Sequence, residues 1–180
     1  MASFLLFFCV ISMIIKISNL NNGEHHFTID ESAKKNGLEE PFFGNFLLNL
    51  DLEKSNSQII VNAELALSVK FECDRCGEDY ETRLKTNFQL VFLFGEEPEV
   101  TGDVNIKYLP YDAEKIDISQ ELLDYAMLAL PMRKLCREDC KGLCYRCGTN
   151  LNNGECNCKK EEVDIRWQPL LDLKNKLNNN

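Results

Sequence analysis

The chain has 180 residues, with 29 acidic against 20 basic residues and a formal net charge of −9. It is long enough to bury a hydrophobic core, as one large domain or as a domain with a small appendage. The charge disfavours a protein that binds nucleic acid mainly by attraction to phosphates, because such proteins are basic. Cationic proteins are the partners that this balance favours.

The first twelve residues are almost uncharged, which raises the question of export. Residues 1–12 lack the positive n-region and the small-residue cleavage site of a signal peptide, and the apolar run is too short to span a membrane. We expect translation to start at Met13 and residues 1–12 to be a leader outside the working protein. The nine cysteines are grouped as metal-binding pairs, which fits a reducing compartment and predicts a cytoplasmic protein without membrane association.

A period of two residues predicts an antiparallel sheet in a β-rich core domain over residues 13–135. The segment 13–20 alternates apolar and polar residues, and 46–54 does so with leucines on one face. Half-buried antiparallel strands show this pattern, because successive side chains point to opposite faces. Residues 30–45, which are polar and contain proline and glycine, are expected to form a loop with at most a short helix.

The clearest strand pattern covers 62–72, and the alternation resumes over 84–94 after the interruption CDRCGEDY. We therefore expect a long hairpin whose turn carries Cys73 and Cys76. A thioredoxin-like redox pair begins a helix after a strand, whereas this pair links two strands. The position therefore favours half of a metal site over a redox site.

A helix is expected after the sheet. An acidic loop over 95–103 and a strand over 104–109 lead to a helix that opens near Asp117 and ends before Pro131. Its body, ELLDYAMLALP, is apolar nearly all round, which predicts a helix buried against the sheet. The expected fold class is therefore α+β, with an antiparallel sheet, a long hairpin and one buried helix.

The final segment, 161–180, is expected to be a short helix and a tail. Pro169 is placed as a helix start, and Leu170, Leu173 and Leu177 follow at helical spacing. We expect this helix, with Trp167 before it, to dock on the body of the protein.

Residues 136–160 are expected to form a zinc-binding segment that resembles a zinc ribbon. Six of the nine cysteines lie between positions 136 and 158, with little apolar sequence to bury. Two close pairs separated by eight residues can converge as four thiolates around one tetrahedral Zn²⁺. The predicted ligands of this site are Cys144, Cys147, Cys156 and Cys158.

A second four-cysteine site is expected from the pairs that remain. Its predicted ligands are Cys73, Cys76, Cys136 and Cys140, which leaves Cys9 in the leader. The spacing of the cysteines does not force this assignment of eight cysteines to two sites. A single zinc with spare thiols, or a different division of the last six cysteines, is also compatible with the sequence.

An enzyme is the competing class of function. The sequence has no Gly-rich phosphate loop, no Ser/His/Asp set and no histidine at the spacing of an open zinc site; His25 and His26 are expected at the surface. Paired cysteines describe closed structural zinc sites. We therefore expect a protein that is not an enzyme and takes no small-molecule substrate.

Basic residues cluster around the cysteine pairs, unlike the acidic remainder of the chain. They provide a candidate nucleic-acid surface, and a zinc-ribbon protein that binds nucleic acid or regulates it stays open beside a protein-binding adaptor. The candidate residues are Arg75, Arg133, Lys134, Arg137, Lys141 and Arg146.

The strand-CDRC-strand arrangement, the helix ending in LALP and the segment LCREDCKGLCYRCGTNLNNGECNC before a leucine-rich end occur together here. In this order and spacing they resemble the bacterial YceD family of large ribosomal RNA subunit accumulation proteins. The resemblance extends from Met13 to about Leu177. It implies a role in ribosome biogenesis, in the accumulation or processing of 23S rRNA, with a basic protein of the large subunit or the rRNA itself as partner.

Overall fold

The computed structural model of the chain describes residues 13–96 and 105–158, and parts of 165–174. The expected leader, 1–12, and most of the acidic loop lie outside the described residues. A five-stranded sheet in the order β2-β3-β4-β5-β6 forms the body, and a small two-stranded sheet pairs β1 with β7. The elements are β1 (Ile14–Lys16), β2 (Gly23–Ser32), β3 (Phe42–Lys54), β4 (Gln58–Glu72), β5 (Asp79–Phe94), β6 (Ile106–Leu109), β7 (Lys115–Asp117) and α1 (Ser119–Leu128), with 3-10 turns at Lys34–Asn36 and Ile165–Trp167.

The strands β3 and β4 form because their apolar residues recur at every second position. Leu48, Leu50 and Leu52 of β3 are all buried, and Leu65 and Leu67 lie beside them on β4. Burying one such side chain contributes roughly 1.5–3 kcal/mol. The alternation in the sequence thus places one face of the sheet, the inner face, in the core.

The strands β4 and β5 are antiparallel partners over their whole length. Their register runs from Gln58 opposite Leu93 to Glu72 opposite Asp79, and residues 73–78 connect them. The connection therefore stands at the end of the two longest strands, away from the middle of the core. This end of the sheet carries the first pair of cysteines.

Two features of the sheet differ from the expected antiparallel arrangement. Strand β2 occupies residues that include part of the expected loop, and it pairs antiparallel with β3 from Gly23 opposite Lys54 to Ser32 opposite Asn45. Strand β6 lies parallel to β5, so the sheet is mixed.

The small sheet and the helix close the inner face. Met13, Ile15, Ile116 and Leu122 belong to the same buried cluster as the sheet leucines. The backbone N–H of Met13 donates to Ser119 Oγ at 2.8 Å, which ties the start of the described chain to the start of α1. Strand β1 and the helix therefore form one lid over the core.

The expected burial of α1 against the sheet holds for one side of the helix and fails for its last turn. Leu122 and Ala126 are buried, but Met127 and Leu128 are 57% and 74% exposed. The sheet and the β1–β7 pair cover one side of α1, and the apolar residues of its last turn face solvent.

In the C-terminal helix that we expect to dock on the body, the side chains that the structure describes are largely exposed. Trp167, Leu170 and Leu173 are each more than half exposed. Leu177 lies outside the described residues.

Candidate metal centres

Four cysteines from two distant parts of the chain meet at the tip of the β4–β5 connection. Their Sγ atoms all lie within 4.8 Å of one another, and Cys73 Sγ is 3.8 Å from Cys140 Sγ. Three of the four side chains are buried. We call this cluster of Cys73, Cys76, Cys136 and Cys140 the first centre.

The geometry of the first centre fits a tetrahedral metal ion. Four thiolates about 2.3 Å from a Zn²⁺ ion stand roughly 3.8 Å from one another. The Cys73–Cys140 distance agrees with this value, as does the 3.7 Å between Cys76 Sγ and Cys136 Sγ. The four cysteines could therefore hold a metal ion, with each sulfur as one ligand.

A glycine turn presents the first pair of thiols. The N–H of Gly77 donates to the carbonyl of Cys73 at 2.9 Å, and the N–H of Cys73 donates to the carbonyl of Glu78 at 2.9 Å. Gly77 has φ of +69°, which glycine adopts without the strain of a side chain. We call this Cys-x-x-Cys-Gly turn a knuckle.

The second pair of thiols is held against the knuckle by the segment that follows α1. The N–H of Asp74 donates to the carbonyl of Lys134 at 2.8 Å. In return, the N–H of Lys134 donates to Asp74 Oδ2 at 2.7 Å. Lys134 Nζ also lies 5.2 Å from the centre of the Phe71 ring. These contacts hold the backbone in the position that places Cys136 beside Cys73.

The backbone of the first centre favours a thiolate at Cys73. Burial raises the pKa of this thiol, but the backbone N–H groups of Cys136, Arg75 and Cys76 outweigh burial and lower the pKa to about 6. Burial raises the pKa of Cys136 to about 12, with further contributions from the neighbouring thiols. Four thiolates at this spacing would repel one another, so a divalent cation is the natural counter-charge for the fully deprotonated cluster.

A second centre lies within residues 144–158. The Sγ atoms of Cys144, Cys147, Cys156 and Cys158 also lie within 4.8 Å of one another, and Cys156 Sγ is 3.4 Å from Cys144 Sγ. This cluster is less enclosed than the first, because Cys147 is exposed and the last two cysteines are half-buried. The eight cysteines of the two centres are all free thiols in the described residues.

The second centre repeats the knuckle of the first. The N–H of Gly148 donates to the carbonyl of Cys144 at 2.9 Å, and the N–H of Cys144 donates to the carbonyl of Thr149 at 2.8 Å. The Thr149 side chain lowers the pKa of Cys147 to about 6. The thiol of Cys158 donates a hydrogen bond to Cys147, which raises the pKa of Cys158 to about 12.

Sequence reasoning missed the contacts that join the two centres. Asn152, in the spacer of the second centre, donates from Nδ2 to Cys140 Sγ at 3.3 Å, and this hydrogen bond is the largest contribution that lowers the pKa of Cys140. The N–H of Leu143 donates to the carbonyl of Arg75 at 3.1 Å. No local pattern in the asparagine-rich spacer distinguishes an amide that meets sulfur from one that meets solvent.

The predicted basic residues are divided between internal contacts and the surface. Arg75 Nη1 donates to the carbonyl of Cys140 at 2.8 Å, and Lys134 packs over Phe71. Arg137 Nε lies 3.4 Å from Asp139 Oδ1. The exposed members of the set are Arg133, Arg137, Lys141 and Arg146. The guanidinium of Arg146 lies 6.0 Å from the ring centre of Tyr145, which is 79% exposed.

Three relatives illustrate what the chain is similar to. It is 25% identical over 156 residues to the Arabidopsis thaliana protein named "Large ribosomal RNA subunit accumulation protein YCED homolog 1, chloroplastic", covering 72% of this chain and 49% of that protein. It is 26% identical over 145 residues to the Zea mays protein of the same name, covering 65% and 50%. An uncharacterised Mycobacterium tuberculosis protein is 31% identical over 137 residues, covering 71% and 62%.

The matched region thus spans about half to three-fifths of the length of these relatives. No solved structure matches the chain. None of the helices in the described residues is both long enough and apolar enough to cross a bilayer. The profile of the family described as "Large ribosomal RNA subunit accumulation protein YceD" matches residues 61–174, a stretch that begins in β4 and includes all eight cysteines of the two centres. The chain therefore belongs to the YceD family.

Proposed function

We propose that this protein is a non-enzymatic factor in large ribosomal subunit biogenesis that supports the accumulation or processing of 23S rRNA in the cytoplasm. It acts as a zinc-stabilised adaptor for a basic ribosomal protein. The observation that carries the proposal is the pair of four-cysteine centres within the part of the chain that matches a family named for large-subunit rRNA accumulation.

Zinc is the metal that the ligand sets favour. Closed sites with four thiolates are typical of structural Zn²⁺, whereas catalytic zinc keeps three protein ligands and an open position for water. In both centres the four sulfurs are close enough to surround one tetrahedral ion. Bound zinc would supply folding free energy and a counter-charge, and the eight cysteines would fix the turns that carry the surrounding surface.

The outer face of the main sheet, opposite the core, supports a cationic protein partner. In the β2–β3 pair Glu24 stands directly opposite Glu53, and both side chains are exposed. Like charges in directly opposed positions destabilise a sheet. A lysine or arginine placed between the two carboxylates would relieve their repulsion, so the pair supports a role in binding a cationic segment.

More acidic groups lie on the same outer face. Asp51 accepts a hydrogen bond from His26, and Glu64 lies 3.8 Å from Lys85 Nζ. Both carboxylates are exposed. Together with the opposed glutamates they form an acidic surface on the sheet, and such a surface complements a lysine- and arginine-rich segment of a ribosomal protein.

Direct contact with rRNA is the second candidate, and one observation favours it. Tyr145 stands exposed at the second knuckle beside Arg146, and aromatic rings next to guanidinium groups are platforms on which single-stranded bases stack. Arg133 and Lys141, which are also exposed, would meet phosphates.

The test is affinity capture of the tagged protein from cells, with and without nuclease, together with sedimentation of ribosomal subunits after depletion of the protein. The adaptor proposal predicts loss of large subunits on depletion and a basic ribosomal protein that stays bound after nuclease.

Replacing Glu24 and Glu53 by glutamine should weaken the capture of this basic ribosomal protein. The same change at Glu39 and Glu40, which are exposed elsewhere, is the control. Normal subunit levels after depletion would contradict the biogenesis role, and partners that vanish with nuclease would support RNA contact instead.

A further inference from the structure

We propose that the two metal centres are coupled through Asn152, so that a metal ion in the second centre tightens metal binding in the first. This inference rests on the proposed binding of zinc by both clusters. It assigns Asn152 as a positioning residue for a sulfur ligand that belongs to the other centre.

Asn152 is held at both ends of its amide. Its Nδ2 donates to Cys140 Sγ at 3.3 Å, and its Oδ1 accepts from the N–H of Lys141 at 2.8 Å. The second contact orients the amide, because it places the oxygen on the backbone and leaves the nitrogen facing the sulfur. A four-thiolate zinc centre carries about two negative charges, and an N–H donor to a ligand sulfur offsets part of that charge.

The backbone that carries Asn152 depends on the second centre. The residue lies in the spacer between Cys147 and Cys156, and two candidate ligands on each side enclose the spacer. Within it, the N–H of Asn152 donates to Asn150 Oδ1 at 2.9 Å. A metal ion bound by the cysteines at both ends of the spacer reduces the number of conformations that the spacer can adopt. The Asn152 amide then loses less conformational freedom when it binds the sulfur.

A second connection joins the centres through Arg75, which lies inside the first knuckle. Its carbonyl accepts from the N–H of Leu143, the residue before Cys144, at 3.1 Å. A Cβ atom at Gly142 would stand 3.0 Å from the same carbonyl, so a glycine is needed for this approach. The first knuckle therefore supports the start of the second, and the coupling acts in both directions, as linkage requires.

The experiment compares Asn152→Ala with Asn153→Ala in the full chain. Asn153 is the matched control, since its amide donates to Glu78 Oε1 at 3.1 Å instead of to a sulfur. Zinc affinity of each variant is measured by competition with a chromophoric chelator. Loss of a contact to a metal ligand typically reduces affinity about 10–100-fold. We expect a loss in this range at one of the two zinc ions for Asn152→Ala, and no change for Asn153→Ala.

Cobalt substitution gives a readout that a purely structural role would not move. The thiolate-to-metal charge-transfer band of Co²⁺ reports the electron density on the sulfur ligands. We expect Asn152→Ala to shift this band while the melting temperature of the zinc-loaded protein changes little. Equal spectra for the two asparagine variants would overturn the assignment of Asn152.

The coupling itself is tested in a variant with serine at Cys156 and Cys158, which removes the second centre. If the second centre acts through Asn152, adding Asn152→Ala to this variant should cause little further loss of affinity at the first centre. A further loss as large as that in the parent protein would overturn the coupling. A parent protein that binds no zinc would instead contradict the proposed metal binding, so the two failures are distinct.

Discussion

Cys76 Sγ lies 3.7 Å from Cys136 Sγ, although 60 positions separate the two residues along the chain. Between them run the whole of β5, the parallel strand β6 and the helix α1. A metal ion in the first centre would therefore tie the end of the sheet to the segment that leaves the helix. The consequences differ from those of an ion in the second centre, whose ligands are close in sequence.

Serine at Cys73 and Cys76 should lower the melting temperature and loosen α1. Zinc binding is worth about 10–16 kcal/mol in small zinc modules, which compares with about 5–15 kcal/mol for the whole stability of a typical domain. Serine at Cys156 and Cys158 should mainly loosen residues 142–158. Amide hydrogen exchange of the two variants checks this difference. Native protection of Leu122–Leu130 and full zinc content in the Cys73/Cys76 variant would rule out a shared first centre.

The purified protein should contain two Zn²⁺ ions per chain, each bound by four sulfur ligands. The spacing of the thiols in both clusters matches such sites, so removal of zinc by a chelator should lower the melting temperature. Elemental analysis measures the number of zinc ions per chain, and X-ray absorption at the zinc edge identifies the atoms that bind them. Folded protein that holds disulfides in place of metal would contradict the prediction.

Gly142→Ala should destabilise the protein by about 1–3 kcal/mol, the usual cost of a strained backbone conformation. Gly142 has φ of +74°, and its Cβ would press against the Arg75 carbonyl. Gly148→Ala is the matched control, because Gly148 has φ of +72° and nothing within 4 Å of a Cβ. Urea denaturation of both variants separates the cost of the positive φ, which the two glycines share, from the cost of the contact with the Arg75 carbonyl. An equal loss at both glycines would mean that the approach to Arg75 adds nothing to stability.

Ser119→Ala should cost about 1–3 kcal/mol, because it leaves the buried N–H of Met13 without its acceptor. Ser119 Oγ also donates to Asp117 Oδ1 at 2.5 Å, so the hydroxyl joins the start of β1 to the start of α1. Ser18→Ala, which removes an exposed hydroxyl, should stay within about 0.5 kcal/mol of the parent protein. Thermal denaturation of the two variants makes the comparison, and equal stability would show that the hydroxyl contributes nothing.

The strands β3, β4 and β5 could be predicted from sequence because each has one face in the core. The burial of one face makes apolar residues recur at every second position, and this alternation is visible in the sequence. Strand β2 was harder to recognise, since its inward residues Phe27 and Ile29 are only half-buried at the edge of the sheet. The parallel pairing of β6 with β5 depends on a connection between distant residues, which local pattern does not encode.

The candidate site shows the same division. The knuckles were readable because a thiol pair followed by glycine is a local turn. The contact of Asn152 with Cys140 was not, because asparagine in a spacer has the same local pattern whether its amide meets sulfur or solvent. The exposed end of α1 also escaped prediction, since Met127 and Leu128 continue an apolar run beyond the part of the helix that the sheet covers.

The separation of the first knuckle from Cys140 also has a consequence during synthesis. Chain growth at about 5–20 residues per second delivers Cys140 roughly 3–13 s after Cys73, since 67 positions separate them. During that interval Cys73 and Cys76 have been synthesised, but the first centre still lacks Cys140. The second centre is local and can assemble as soon as residue 158 emerges, so the order in which the two centres are completed is set by translation as well as by affinity.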